Sequence, residues 1–380
     1  MQTRTTLIAL IFVARLSAVE PAYKTLEPGL DYARVTTDAP QLIHLLRIDR
    51  AKPWEWTTAH AEGRIFALAP LGKIVRATER AEKARAVAAV NGDFYAIAPG
   101  NYQGDPLGLQ IVAGEVISSP NGKAGFWVDG EGKPHIDAVE SKFRVAWTGG
   151  ATTPFGLNEP RPDNGCTLFT PALCYPTKAA RPADFTTRTT GGRELVLEPA
   201  DPQRWLPFAA GSTYRAKVTS VREGGNSPLT PTSVVLSLGP KLAGAPDAKA
   251  DDELSLAFET TPSVAGSRCA IGGGPRLLKA GTVVPKPDGP RHPRSLLGWN
   301  ETHSFLVVVE GRRREALGMT LHELAELAKS LGCVEALNLD GGGSSTLWAD
   351  NRVLNAPTDG EPRPVANGLL LIERPTSRGR

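Results

Sequence analysis

The stretch Glu335-Ala336-Leu337-Asn338-Leu339-Asp340-Gly341-Gly342-Gly343-Ser344-Ser345-Thr346 constrains this chain more than any other. An apolar strand runs into Asn338 and Asp340. Three glycines follow at once, then hydroxyl side chains. Glycine lets another group approach the bare backbone, at a cost in chain entropy. Three of them beside a carboxylate point to a ligand contacted by backbone N–H groups. A plain tight turn with a capping aspartate is the alternative use of the same residues.

The preceding segment supplies the context. Ser304-Phe305-Leu306-Val307-Val308-Val309-Glu310 is β-branched and reads as a buried strand. Thr320 and Glu323 form a T-x-x-E capping box, and Leu321, Leu324, Ala325, Ala328 and Leu331 recur at helical spacing. Gly332 follows where a C′ glycine belongs. Strand, helix and strand predict a βαβ unit over residues 304–340, with its two strands parallel. The expected fold class is therefore α+β: a large, β-rich mixed sheet with this βαβ unit and a few helices. Glu310 and Asp340 then close two strands on one sheet edge, where ligands collect in open α/β sheets.

A second strand end echoes the first. Ala86-Val87-Ala88-Ala89-Val90 runs into Asn91-Gly92-Asp93-Phe94-Tyr95. Asn-Gly alone is a common hairpin turn, but two Asn/Asp/Gly strand ends can converge on one cleft. Upstream, Gln41–Arg50 and Arg64–Leu71 read as strands and Thr78–Ala86 as a short helix. A third glycine cluster, Gly272-Gly273-Gly274-Pro275, suits close anion approach or a bend. Arg291-His292-Pro293-Arg294 follows it, and a guanidinium fork matches phosphate oxygens.

Composition narrows the class. The net charge of +3 and the lack of a basic cluster with interleaved aromatics argue against nucleic acid as a partner. The 39 glycines and 32 prolines favour a loop-rich β fold over a helical bundle. Residues 1–18 read as a secretory signal peptide, too short to span a bilayer, which predicts export to the periplasm or the exterior. No other membrane segment is visible. Residues 140–265 are β-rich and loop-heavy, with separate folding left open, and residues 374–380 form a frayed tail. Cys166 and Cys174 are close enough in sequence to pair. Cys269 and Cys333 suit a bridge or buried thiols equally. No zinc spacing occurs. The density of Asp and Asn admits Ca²⁺ or Mg²⁺, though no regular ligand spacing shows it.

Taken together, Asn91-Gly92-Asp93-Phe94-Tyr95, Gly272-Gly273-Gly274-Pro275, His292-Pro293-Arg294, Gly318-Met319-Thr320, Asn338-Leu339-Asp340-Gly341-Gly342-Gly343-Ser344-Ser345 and Glu361-Pro362-Arg363-Pro364-Val365-Ala366-Asn367 stand in the order seen in the phosphodiester glycosidase family. The resemblance covers roughly residues 40–373. It implies hydrolysis of a sugar-1-phosphodiester or phosphoglycan at the anomeric carbon. Carried over by position, Asp340, Asp93 and Glu310 are the catalytic candidates. Arg294, Asn91, Asn338, Gly272, Gly273, Gly274, Gly341, Gly342, Gly343, Ser344 and Ser345 are the substrate-binding candidates. One departure is Ser295-Leu296-Leu297-Gly298-Trp299, where the family usually reads Thr-Ala-Ile-Gly; the added bulk predicts an altered sugar pocket. A metal-dependent phosphodiesterase cutting the P–O bond and a non-catalytic polysaccharide binder are the competing readings.

Overall fold

A computed structural model describes residues 21–375, apart from 38, 174–184, 202–204, 231, 233 and 245. The expected signal peptide, Cys174 and residues 376–380 of the tail lie outside the described residues. Three sheets carry the structure. The first has eight strands in the order Lys24–Glu27, Leu30–Thr37, Gln41–Asp49, His303–Val309, Arg294–Trp299, Glu335–Leu339, Arg276–Lys279 and Thr282–Val283. The second has five: Arg352–Val353, Leu347–Ala349, Arg85–Asn91, Asn367–Glu373 and Glu55–His60. The third, with twelve, takes in residues 110–169 and 193–272.

The period-two alternation of strands sorts side chains into layers. Leu297, Leu306, Val308, Leu337 and Leu339 of the eight-stranded sheet pack against Val87, Ala88, Val90, Leu369 and Leu371 of the five-stranded one. The alternate residues Leu296, Val307, Val309 and Ala336 face the helix Leu321–Ser330. On the other side, Ala86, Ala89, Leu370 and Ile372 face the helix Leu71–Glu82 through Leu71, Ile74 and Val75. The order is helix, sheet, sheet, helix. The twelve-stranded sheet holds a separate apolar cluster, which includes Phe143, Phe208 and Phe258. It joins the two-sheet core through Phe126, Ile136 and Ile271.

The expected fold class needs correction. The protein is an antiparallel β structure with two α-helices among the described residues, and residues 304–340 do not form a βαβ unit. Strands His303–Val309 and Glu335–Leu339 do not pair. Arg294–Trp299 lies between them, antiparallel to both. Its own run of Ser295, Leu296, Leu297 and Trp299 is as apolar as theirs, so it takes the central place with both faces buried. The parallel pairing among the described strands is the short one of Gly156–Leu157 with Thr167–Leu168. The helix between the two strands forms as expected: Thr320 accepts from the Glu323 N–H at 3.1 Å and the Glu323 carboxylate accepts from the Thr320 N–H at 2.9 Å.

The first helix also differs from its reading. It spans Leu71–Glu82 after Pro70, and residues 64–70 form no strand. Apolar positions 71, 74 and 75 fall on one helical face, a three–four spacing that a strand cannot bury. Cys269 and Cys333 are buried free thiols.

Because the 303–309 and 335–339 strands each run antiparallel to the same neighbour, they point the same way. Residues 310 and 340 thus leave the sheet at one edge, which Arg294 enters. The ends of Arg85–Asn91 and Cys269–Gly272 and the start of Asn367–Glu373 meet them there.

Candidate active site

Asn91 holds the strand ends together. Its side-chain N–H donates to the Asp340 carbonyl at 2.6 Å. Its Oδ1 accepts from the Ser295 hydroxyl at 2.7 Å and from the Thr346 N–H at 3.1 Å. The residue is fully buried. Its amide is thus committed to three chain segments and sets where Asp340 emerges.

Asp93 follows on a chain segment fixed by Asn367, whose Oδ1 accepts the Asp93 N–H at 2.7 Å. One Asp93 oxygen accepts from the Phe94 N–H at 2.8 Å; the other accepts from Gln110 Nε2 at 3.1 Å. Gly272 explains itself here. A Cβ at that position would sit 2.3 Å from Asp93 Oδ2, so only glycine admits the carboxylate. Burial raises the Asp93 pKa to about 7, helped by the charge of Asp340, against the N–H donors of Phe94 and Gly108 and the Gln110 amide. Behind Gln110 stands His60, fully enclosed, with burial holding its pKa down at about 4. The neutral ring presents Nε2 to Gln110 Oε1 at 3.3 Å. The Gln110 amide nitrogen is spent on Asp93, so the His60 nitrogen is the donor. His60 thereby fixes the face Gln110 shows to Asp93.

Asp340 heads the triple-glycine turn. Its Oδ1 accepts from the Gly341 N–H at 2.8 Å, and the Ser344 hydroxyl bonds the same carboxylate. Burial raises its pKa, opposed by Ser344, Gly341 and the Arg363 charge. Two guanidinium groups flank the glycines. A Cβ on Gly343 would lie 2.1 Å from Arg363 Nη2, and one on Gly342 would lie 3.1 Å from Arg312 Nη2. Arg363 pairs with Asp359 at 2.8 Å. Arg312 has no hydrogen-bonded or ionic partner among the described residues. Tyr95 closes the side, its hydroxyl donating to the Pro364 carbonyl at 3.0 Å.

Asn338 donates to the Gly274 carbonyl at 2.7 Å and so ties this strand to the 272–274 loop; its buried Oδ1 has no protein partner among the described residues. The Ser345 hydroxyl is likewise buried and unpartnered. Beside the 272–274 loop a cavity of about 520 Å³ is walled by Phe94, Leu107, Gly273, Gly274 and Pro275, with Lys123 and Arg276 also lining it.

Two expected residues are otherwise engaged. Glu310 is 2% exposed, and both its oxygens are taken. One accepts from His44 Nε2 at 2.8 Å and the Ala356 N–H at 2.6 Å; the other pairs with Arg313. Burial depresses the His44 pKa to about 4, so the ring is neutral: it donates from Nε2 and accepts the Tyr32 hydroxyl at Nδ1. Glu310 is the centre of a buried hydrogen-bonded network. Arg294 donates to the Met319 carbonyl at 2.9 Å and the Pro290 carbonyl at 3.1 Å and forms no ion pair among the described residues. Its backbone adjoins Gly341, but its guanidinium is anchored toward the entrance of the 321–330 helix.

Sequence reading passed over Gln110, His60, Arg312, Arg363 and Asn367 as site residues. Gln110 did carry a signal, as a polar residue heading the apolar run Gln110-Ile111-Val112. Arg312 lay unmarked in Arg312-Arg313-Arg314. Among the described residues no group of three or more His, Cys, Asp or Glu side chains is placed to hold a metal ion.

Fold and site define an antiparallel β protein with an aspartate pair at a glycine-floored sheet edge. Residues 212–372 match the family described as phosphodiester glycosidase, and the chain resembles that family as its motifs implied. An 82-residue segment is 33% identical to an uncharacterised prophage-derived protein of Bacillus subtilis strain 168; it covers 21% of this chain and 13% of that one. A hypothetical protein from Synechocystis has a similar structure, with a TM-score of 0.69 and 20% identity over 91% of this chain. This chain spans 62% of that protein's length. A Burkholderia pseudomallei K96243 protein described as exported gives a TM-score of 0.65 and 17% identity over 89% of this chain and 75% of its own. These two likenesses concern the fold. No helix among the described residues is long and apolar enough to cross a membrane.

Proposed function

We propose that this chain hydrolyses a sugar-1-phosphodiester of the N-acetylglucosamine-α-1-phosphate ester type, breaking the bond between the anomeric carbon and oxygen. Water adds to the carbon; a free sugar and a phosphomonoester leave. The supporting observation is the pairing of buried Asp93 with half-buried Asp340, the latter beside arginines. Burial raises both pKa values, but an arginine charge opposes the rise at Asp340 alone, and unlike surroundings suit two carboxyl groups to different tasks.

Asp340, held by a backbone N–H, a hydroxyl and the charge of Arg363, serves as the carboxylate that faces positive charge building on the sugar ring. Asp93, with its pKa raised to about 7, takes the proton of the attacking water. A departing phosphate is a weak base, so the site needs charge stabilisation more than a strong acid. Arg312 and Arg363, beside the 342–343 glycines, are suited to that load. The cavity beside Phe94 and Gly273 receives the sugar. Arg294 and Asn91 act as positioning residues in this account. Action on envelope or extracellular glycans after export belongs to the same proposal.

The test is turnover of a GlcNAc-α-1-phosphate ester by the full chain, followed by chromatography of both products. The wild type releases sugar and phosphomonoester, and Asp340→Asn lowers the rate by ~10²-fold or more with an unchanged melting temperature. Near-normal turnover in that variant would remove Asp340 from its role. Glycan binding without any turnover in the wild type would favour a non-catalytic binder.

A further inference from the structure

The edge strand Glu55–His60 has two ends. His60 is at the active-site end. Trp54 precedes the other, six residues away, or roughly 20 Å at about 3.3 Å per residue. There a cavity of about 330 Å³ is lined by Trp54, Trp56, Glu55, Glu82, Arg268 and Arg374, among others. A second cavity of about 130 Å³ shares Trp54, Trp56 and Gly132 with it. The two tryptophans are thus a common wall between adjoining hollows.

We infer that this groove is a second binding site, for a neutral saccharide chain. Three observations carry the inference. Both indoles are fixed while half-exposed: Trp54 is hydrogen-bonded to the Glu373 carboxylate, and Trp56 stands edge-on to Phe126 at 5.9 Å between ring centroids. A sugar ring offers C–H faces to such platforms and hydroxyls to the groups around them. Those groups are also held. Arg374 bridges Glu55 at 2.8 Å and Glu82 at 3.1 Å, so planar donors and acceptors stand ready at little further cost in entropy. The charge is close to balance. Arg268 and Arg374 face Glu55, Glu82 and Asp129, which disfavours a polyanion such as a nucleic acid or a phosphoglycan. The Arg268 side chain is exposed, and its guanidinium has no hydrogen-bonded or ionic partner among the described residues, which leaves its donors for hydroxyls. The groove does not depend on the catalytic proposal. It would hold a glycan at the end of the sheet remote from Asp93.

Isothermal titration of the full chain with cellohexaose, maltohexaose and chitohexaose tests the site, with trigalacturonate as the acidic comparison. The titrations use Asp340→Asn so that turnover does not interfere. At least one neutral hexaose binds. Trp54→Ala weakens it tenfold or more, Trp54→Phe weakens it less, and Arg268→Ala weakens it about threefold. In the otherwise native chain none of these changes alters turnover of a small sugar-1-phosphodiester. If Trp54→Ala does not fold, exposed Arg268 decides, and unchanged affinity in Arg268→Ala overturns the inference. So does failure of all three neutral hexaoses to bind, or binding of trigalacturonate alone.

Discussion

Asp93 and Glu310 are both buried acids at strand ends, yet their neighbours give them opposite fates. Glu310 meets a histidine N–H, a backbone N–H and Arg313, which leaves it no free oxygen. Asp93 meets only neutral donors, and its pKa rises to about 7. In the proposed mechanism it works deprotonated, so kcat/KM falls as pH drops through about 7. Gln110 donates to the ionised form and lowers that pKa. Gln110→Leu therefore raises it, and the acid limb of the kcat/KM profile moves to higher pH. A limb that stays in place would show that Gln110 does not govern Asp93. None of this can be read from residue types alone. Burial and partners come from strands far apart in sequence, so Asp93 and Glu310 look equivalent in the chain.

At the scale of turns and strands, the glycines divide by what lies above them. At Gly272 the obstacle to a Cβ is the buried Asp93 carboxylate, 2.3 Å away, hemmed by Gln110 and Phe94. At Gly343 it is the far ends of Arg363 and Asp359, at 2.1 and 2.2 Å. Gly272→Ala therefore destabilises the fold by roughly 1–3 kcal/mol and lowers kcat. Gly343→Ala displaces the half-exposed Arg363–Asp359 pair, leaves the melting temperature within a few degrees, and raises KM for the phosphodiester. Thermal melts and steady-state kinetics on both variants check this; equal effects at the two positions would contradict it. The strand ends carrying Asn91, Asp93, Asn338 and Asp340 were legible because each couples an apolar run to Asn, Gly and Asp. The capped helix was legible from Thr320 and Glu323. The βαβ unit was misread because local pattern does not report strand order. Nothing in residues 304–340 reveals that Arg294–Trp299 will insert between the two strands. The partners of Arg294 were hidden for a related reason: the two carbonyls that its guanidinium meets at the helix entrance are not visible in its local motif.

For the molecule as a whole, buried ionisable groups set the dependence of stability on pH. Burial raises Asp93 to about 7 and Asp105 to about 8. Such acids bind protons more tightly folded than unfolded, so stability increases as pH falls through those values. Burial lowers His44 and His60 to about 4. Each binds its proton less tightly folded, so stability is lost as pH falls from the ordinary histidine value near 6.5 toward 4. From pH 8 to about 6.5 only the acids act, and the melting temperature climbs. Below that the two effects oppose each other and the curve flattens. Calorimetry across this range measures it, and a melting temperature that falls steadily from pH 8 to 6.5 would contradict the account.

The central claim is that the bond between sugar carbon and bridging oxygen is the one that breaks. Hydrolysis of a GlcNAc-α-1-phosphate ester in oxygen-18 water, with mass analysis of both products, tests it most directly. The account predicts the heavy oxygen in the released sugar and none in the phosphomonoester. Heavy oxygen in the phosphate would mean cleavage at phosphorus and would contradict it.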